Sequence, residues 1–124
     1  MSRKTRIWVC HSADLKEADY HRVDVLYSQK PSSVIVFRHN GECLAYRNLC
    51  VHMPRELDCE ADMIFDATGR LLRCSMHGIV YEPKTGTSVS EICWGKKLTP
   101  VKVEETDDGI WISDKRVSPM DEQG

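Results

Sequence analysis

Apolar residues in this chain come in short runs, and the spacing of those runs predicts strands rather than helices. Ile7–Cys10 (IWVC) is the first such run. Residues 22–26 (RVDVL) alternate polar and apolar, as expected of a strand with one face buried. Residues 33–38 carry Val34, Ile35, Val36 and Phe37 in unbroken succession, which predicts a more fully buried strand. His39-Asn40-Gly41 then turns the chain, because Asn-Gly supplies the positive φ angles of a tight hairpin. Residues 42–48 read as the return strand. Between the first two strands, residues 12–15 resemble a helix start, but too few residues follow for more than one turn.

Beyond Leu49 the runs become shorter. Residues 49–58 read as a loop, Met63-Ile64-Phe65 as a short strand and residues 66–70 as a turn. Residues 71–74 enter a second loop and residues 79–81 leave it. Residues 82–86 (EPKTG) turn again. Residues 98–104 alternate, 107–109 turn, and Ile110-Trp111-Ile112 close the pattern. From Ser113 onward Pro, Ser and charged residues follow without periodicity, which predicts fraying. The expectation is an all-β chain: a single domain over residues 1–113 and a flexible tail over 114–124. A small lobe at about residues 46–93 would be inserted into a base built from the strands on either side of it.

With 124 residues, of which 41% are apolar, the chain supports a core without disulfide staples. A net charge of −2 provides no basic field for nucleic acid. No run approaches the roughly 18 apolar residues of a membrane span. Ile7–Cys10 is also too short for the apolar region of a signal peptide. These features predict a cytoplasmic protein without membrane attachment. Six cysteines are enough for a disulfide framework, but in a reducing compartment Cys/His clusters more often bind metal. Cys10 and Cys43 sit in apolar runs and read as small core residues, whereas Cys59 and Cys93 lie in polar surroundings and read as exposed thiols.

The two remaining cysteines each belong to a ligand pair. Cys50-Val51-His52 and Cys74-Ser75-Met76-His77 spell C-x-H and C-x-x-H, separated by the 21 residues 53–73. A mononuclear zinc site usually spaces its paired ligands by two to four residues, and C-x-H is tighter than that. A dinuclear cluster removes the constraint, because the Cys and His of one loop can bind different irons. Two thiolates on one iron and two imidazoles on the other form a Rieske [2Fe–2S] centre. Its potential falls in a window of roughly −150 to +300 mV, against roughly −400 mV for all-Cys plant-type ferredoxins. Reduction adds negative charge and raises the imidazole pKa, so the potential should fall with rising pH once the imidazoles titrate.

These two pairs, with Gly78 and Tyr81-Glu82-Pro83-Lys84-Thr85-Gly86 following, resemble the cluster loops of Rieske-type ferredoxins. The resemblance is strongest over residues 48–100. It implies the Rieske fold: an antiparallel β-sandwich base with a small inserted cluster-binding lobe. It also implies one [2Fe–2S] cluster held by Cys50, His52, Cys74 and His77, with Gly78, Tyr81 and Trp94 around it. Rieske proteins of respiratory cytochrome bc complexes carry an extra Cys in each loop; here Arg55 and Met76 stand at those positions. Their Ser two residues after the second His is Ile79 here, while their Tyr four residues after it is kept as Tyr81. Fewer hydrogen bonds to sulfur imply a potential below that of the respiratory proteins. The segment 92–100 occupies the place of the family's third loop, where Trp94 could screen the cluster.

The function so implied is a one-electron carrier between a reductase and an oxygenase or other oxidoreductase, monomeric when free. One alternative is a small Rieske subunit of a larger oxidoreductase; another is a redox or iron–sulfur sensor; a third is a structural zinc domain. The chain is too short for the separate domain that carries an oxygenase's facial triad of two His and one carboxylate. Catalytic turnover by the chain alone is therefore not expected.

Overall fold

A computed structural model describes residues 6–17, 19–50, 56–58, 63–74, 78–90 and 93–119. The described residues form the strands β1 (Ile7–Cys10), β2 (Tyr20–Tyr27), β3 (Lys30–His39), β4 (Glu42–Arg47), β5 (Leu72–Arg73), β6 (Val80–Tyr81), β7 (Val103–Thr106), β8 (Gly109–Ile112) and β9 (Val117–Pro119). They form three sheets, ordered β1-β8-β7, β4-β3-β2-β9 and β5-β6, and every pairing is antiparallel. Among the described residues, the one helical element is a 3₁₀ turn at Ser12–Asp14.

The four-stranded sheet lies between two apolar cores, and β3 explains how. Val34 and Val36 face one core with Val25, Ala45, Ile110 and Ile112. Ile35 and Phe37 face the other with Tyr46, Leu57, Leu72 and Tyr81. Successive side chains of a strand point to opposite faces, so a strand covered on both sides must be apolar at every position. All four of these β3 residues have zero relative exposure, which accounts for the unbroken VIVF run. The first core joins the central sheet to β1-β8-β7; the second joins it to the β5-β6 lobe.

Local signals fix several connections. Asn40 and Gly41 turn β3 into β4 with φ of 53° and 80°, as their sequence requires. The β2–β3 hairpin turns at Ser28 and Gln29, also at positive φ (49° and 72°) but without glycine, so no sequence signal marks it.

Two expectations differ from the structure. The alternation of residues 98–104 predicts a strand, yet only Leu98 and Val101 are buried there and the strand begins only at Val103. Leu98 enters the lobe-side core and Val101 the opposite core, so this stretch crosses between layers instead of lying along one. The segment expected to fray also begins with order. Asp114 is buried, Val117 has 3% relative exposure, and β9 pairs with β2 from Val25↔Pro119 to Tyr27↔Val117. A turn around Asp114 directs it there. The Asp114 carboxylate accepts the Arg116 N–H at 2.9 Å and the Lys102 N–H at 3.0 Å, and the Arg116 guanidinium closes on the same carboxylate at 2.7 Å. Among the described residues, no helix is long and apolar enough to cross a membrane.

Candidate functional site

The second cysteine loop grows out of the two-stranded sheet. Leu72 opposes Tyr81 and Arg73 opposes Val80, so β5 delivers the chain to Cys74 and β6 carries it away. The Cys74 N–H donates to the Ile79 carbonyl at 2.8 Å, and the Gly78 N–H donates to the Cys74 carbonyl at 2.9 Å. These bonds close the loop around residues 74–79, with Gly78 at φ 74°.

The first cysteine loop leaves the end of β4. Its base is closed by one side chain that sequence reasoning did not single out, Asn48. Asn48 has 1% relative exposure; its Oδ1 accepts the Leu57 N–H at 2.8 Å and its Nδ2 donates to Asp58 Oδ1 at 3.0 Å. No motif marks a lone Asn and a lone Asp ten residues apart; only the folded loop pairs them.

Cys50 and Cys74 both lie within the lobe-side core. Their relative exposures are 4% and 1%, and both belong to the cluster that contains Leu72, Ile79 and Tyr81. The Tyr81 hydroxyl lies 3.2 Å from Cys50 Sγ and is itself buried. His52 and His77 lie outside the described residues, as does Cys59.

A neighbouring hairpin supports β6. The Val89 N–H donates to the Val80 carbonyl at 2.9 Å, and Ser90 Oγ accepts the Val80 N–H at 2.9 Å. The same segment continues to Trp94, which is 70% exposed and so does not serve as core packing. The turn at 82–86 is fixed from below: the Tyr46 hydroxyl donates to the Pro83 carbonyl at 2.7 Å. Burial pushes the Tyr46 phenol up to about 12. Cys10 is buried, as its apolar run predicts, but Cys43 and Cys93 are only partly covered. Burial, with Glu105 adding to it, pushes the Cys43 thiol up to about 11, so it stays protonated at neutral pH.

With this arrangement in view, comparison with known proteins is decisive for the family. The sequence matches the Rieske [2Fe-2S] domain over residues 5–106. This chain belongs to the Rieske [2Fe–2S] family. Among solved structures, the ferredoxin of carbazole 1,9a-dioxygenase from Nocardioides aromaticivorans IC177 is 23% identical, with a TM-score of 0.69 over 90% of this chain and 99% of its own. A ferredoxin seen in complex with the oxygenase of carbazole 1,9a-dioxygenase is 20% identical, with a TM-score of 0.72 over 92% of this chain and 97% of its own. The terminal oxygenase of carbazole 1,9a-dioxygenase from Novosphingobium sp. KA1 is 22% identical, with a TM-score of 0.73 over 96% of this chain but 32% of its own. At these identities the likeness establishes a shared fold: this is the Rieske fold, nearly all-β as its pattern predicts. No curated protein is significantly similar in sequence.

The family implies one [2Fe–2S] cluster, and the described residues fit it. Two thiol side chains, nearly excluded from water, belong to one apolar cluster. A buried hydroxyl sits within hydrogen-bonding distance of one of them, where it can stabilise a thiolate.

Proposed function

We propose that this chain is a one-electron carrier in which Cys50 and Cys74 hold one iron of the cluster and His52 and His77 the other. When bound, the cluster takes up and releases a single electron. The residues of the chain set the conditions for that exchange. As thiolates, Cys50 and Cys74 supply charge to one iron. The Tyr81 hydroxyl donates to the Cys50 sulfur and favours the reduced, more negative state. The surrounding core of Leu72, Ile79 and Tyr81 excludes water from the sulfur side. The observation that carries the reading is the burial of two cysteines from two separate loops in one apolar cluster, with Tyr81 at 3.2 Å from one of them.

The partners that suit this role are a reductase and an oxygenase or other oxidoreductase, with the chain a monomer when free. Ferredoxins of the same fold that serve carbazole dioxygenase support this choice. We read the chain through β9 as one functional unit whose lobe, about residues 46–93, bears the cluster. Free thiols at Cys10, Cys43 and Cys93 suit the reducing cytoplasm.

Absorption and EPR spectra of the purified protein, oxidised and then reduced with dithionite, test the proposal. A brown protein should give a rhombic signal on reduction, with an average g below that of an all-thiolate [2Fe–2S] ferredoxin. Cys50→Ser, Cys74→Ser, His52→Ala and His77→Ala should each abolish or convert that signal. A colourless protein holding zinc would overturn the reading. So would a cluster indifferent to all four substitutions.

A further inference from the structure

The first cluster loop hangs between two points of the chain, Asn48 and residues 56–58, and the base of the molecule grips both. At the near point, the Asn48 N–H donates to the Ser33 carbonyl of β3 at 2.8 Å. At the far point, Ser33 Oγ donates to Glu56 Oε2 at 2.6 Å, and Arg22 Nη2 of β2 meets the same oxygen at 2.8 Å. The Tyr20 hydroxyl of β2 donates to Asp58 Oδ2 at 3.1 Å, and Arg22 Nη1 lies 3.6 Å from Asp58 Oδ1. A single side chain then ties the two points together, since Asn48 bonds both Leu57 and Asp58.

This placement matters because Cys50 is two residues from Asn48. Its Sγ meets the hydroxyl of Tyr81, on the strand β6 that leaves the other loop. Tyr81 is fully buried, and its backbone is held by pairing with Leu72. A hydrogen bond weakens steeply as its distance and angle depart from the optimum. The Cys50–Tyr81 bond therefore depends on how firmly the first loop is closed. Two hydrogen bonds from a buried, planar carboxamide close it more rigidly than packing alone.

We propose that Asn48 is a positioning residue. By clasping Leu57 and Asp58 it fixes Cys50 against Tyr81 and so raises the reduction potential of the cluster. The inference rests on the proposed role of Cys50 as a cluster ligand, and the experiment separates the two.

The potential is measured by redox titration in the intact protein and in N48A, Y81F and the double variant N48A/Y81F. N48A should lower the potential, as should Y81F. The double variant should fall no further than Y81F alone, because the bond that Asn48 protects is already gone. N48A should also speed cluster loss to a chelator by between about tenfold and a hundredfold, the range typical of groups that orient metal ligands. If N48A does not retain its cluster, Asn48→Ser replaces it, since that hydroxyl is too short to reach both partners. An exchanged pair, Asn48→Asp with Asp58→Asn, re-forms an amide–carboxylate bond and should restore most of the potential. A variant at Asn48 that melts earlier but keeps the potential would reduce the residue to a purely structural part and overturn the inference. Additive shifts in the double variant would do the same. If instead Cys50→Ser leaves the cluster and its potential unchanged, the ligand assignment itself has failed, which is a distinguishable result.

Discussion

The hydroxyl of Tyr81 lies 3.2 Å from Cys50 Sγ, joining the two cysteine loops through a contact that neither loop contains by itself. Tyr81 belongs to β6, which leaves the second loop, and Cys50 to the first, 31 positions earlier. A hydroxyl that donates to a thiolate stabilises the more negative of two redox states. Tyr81→Phe should therefore lower the potential without removing the cluster. A difference of about 1 kcal/mol between the two states corresponds to roughly 40 mV for one electron. A redox titration followed by EPR measures it, and an unchanged potential would show that the hydroxyl does not donate to the sulfur.

The turn that leads into β9 rests on Asp114. The Arg116 guanidinium beside it, with two backbone N–H donors, holds the Asp114 carboxyl far below the usual carboxylate range. The folded pKa lies below the unfolded one, so the ionised carboxylate stabilises the fold at any pH above the unfolded value of about 4. That contribution fades as pH falls below this value towards the folded pKa. Asp114→Ala should lose about 1–3 kcal/mol at neutral pH. Its deficit against the parent should shrink in urea titrations carried out below about pH 4.

Arg38 ties β3 to three other segments. Its guanidinium donates to the Leu15 carbonyl at 2.6 Å, the Ser12 carbonyl at 3.2 Å, the Gly41 carbonyl at 3.1 Å and Glu105 Oε2 at 2.8 Å. The side chain is 14% exposed, so little of this is screened by water. Arg38→Met keeps the stem and removes the donors; it should cost about 2–3 kcal/mol in equilibrium denaturation. Glu105→Gln should cost less, because the three carbonyls keep their donor.

Gly86 has no room for a side chain. A Cβ there would lie 2.7 Å from Tyr46 Cε1, and its φ of 76° is one that other residues adopt with strain. Gly86→Ala should destabilise the lobe by about 2–4 kcal/mol. It should also push the Tyr46 ring away from the Pro83 carbonyl and towards water. The phenol, pushed up to about 12 by burial, should then titrate closer to its ordinary value of about 10. An ultraviolet pH titration reads the change directly, and a Tyr46 that still titrates near 12 would mean the loop absorbs the methyl without moving.

Much of this molecule was readable before folding was considered. Asn40-Gly41 marks its hairpin because the turn demands positive φ at adjacent positions. The VIVF run marks β3 as buried on both faces because a strand covered on two sides has no polar side to show. The two Cys/His pairs were readable for a different reason. Cys and His only two or three positions apart can meet one metal group without long-range contacts, so such a pairing is legible in local spacing.

Other features depend on residues distant in sequence. β9 has three residues in a segment rich in Pro, Ser and charge, and it becomes a strand only because β2 offers it an open edge. Nothing near Ser28 or Gln29 marks a turn, yet the antiparallel register of β2 with β3 imposes positive φ on both. The Asn48–Asp58 pair, the Tyr46–Pro83 bond and the Tyr81–Cys50 contact each span nine or more intervening residues. The sequence by itself determined the β class, the buried central strand and the Asn-Gly hairpin, because period and turn chemistry are local properties of a chain. The tertiary structure alone decided which buried polar groups meet, because a donor buried far along the chain finds its acceptor only when the layers close.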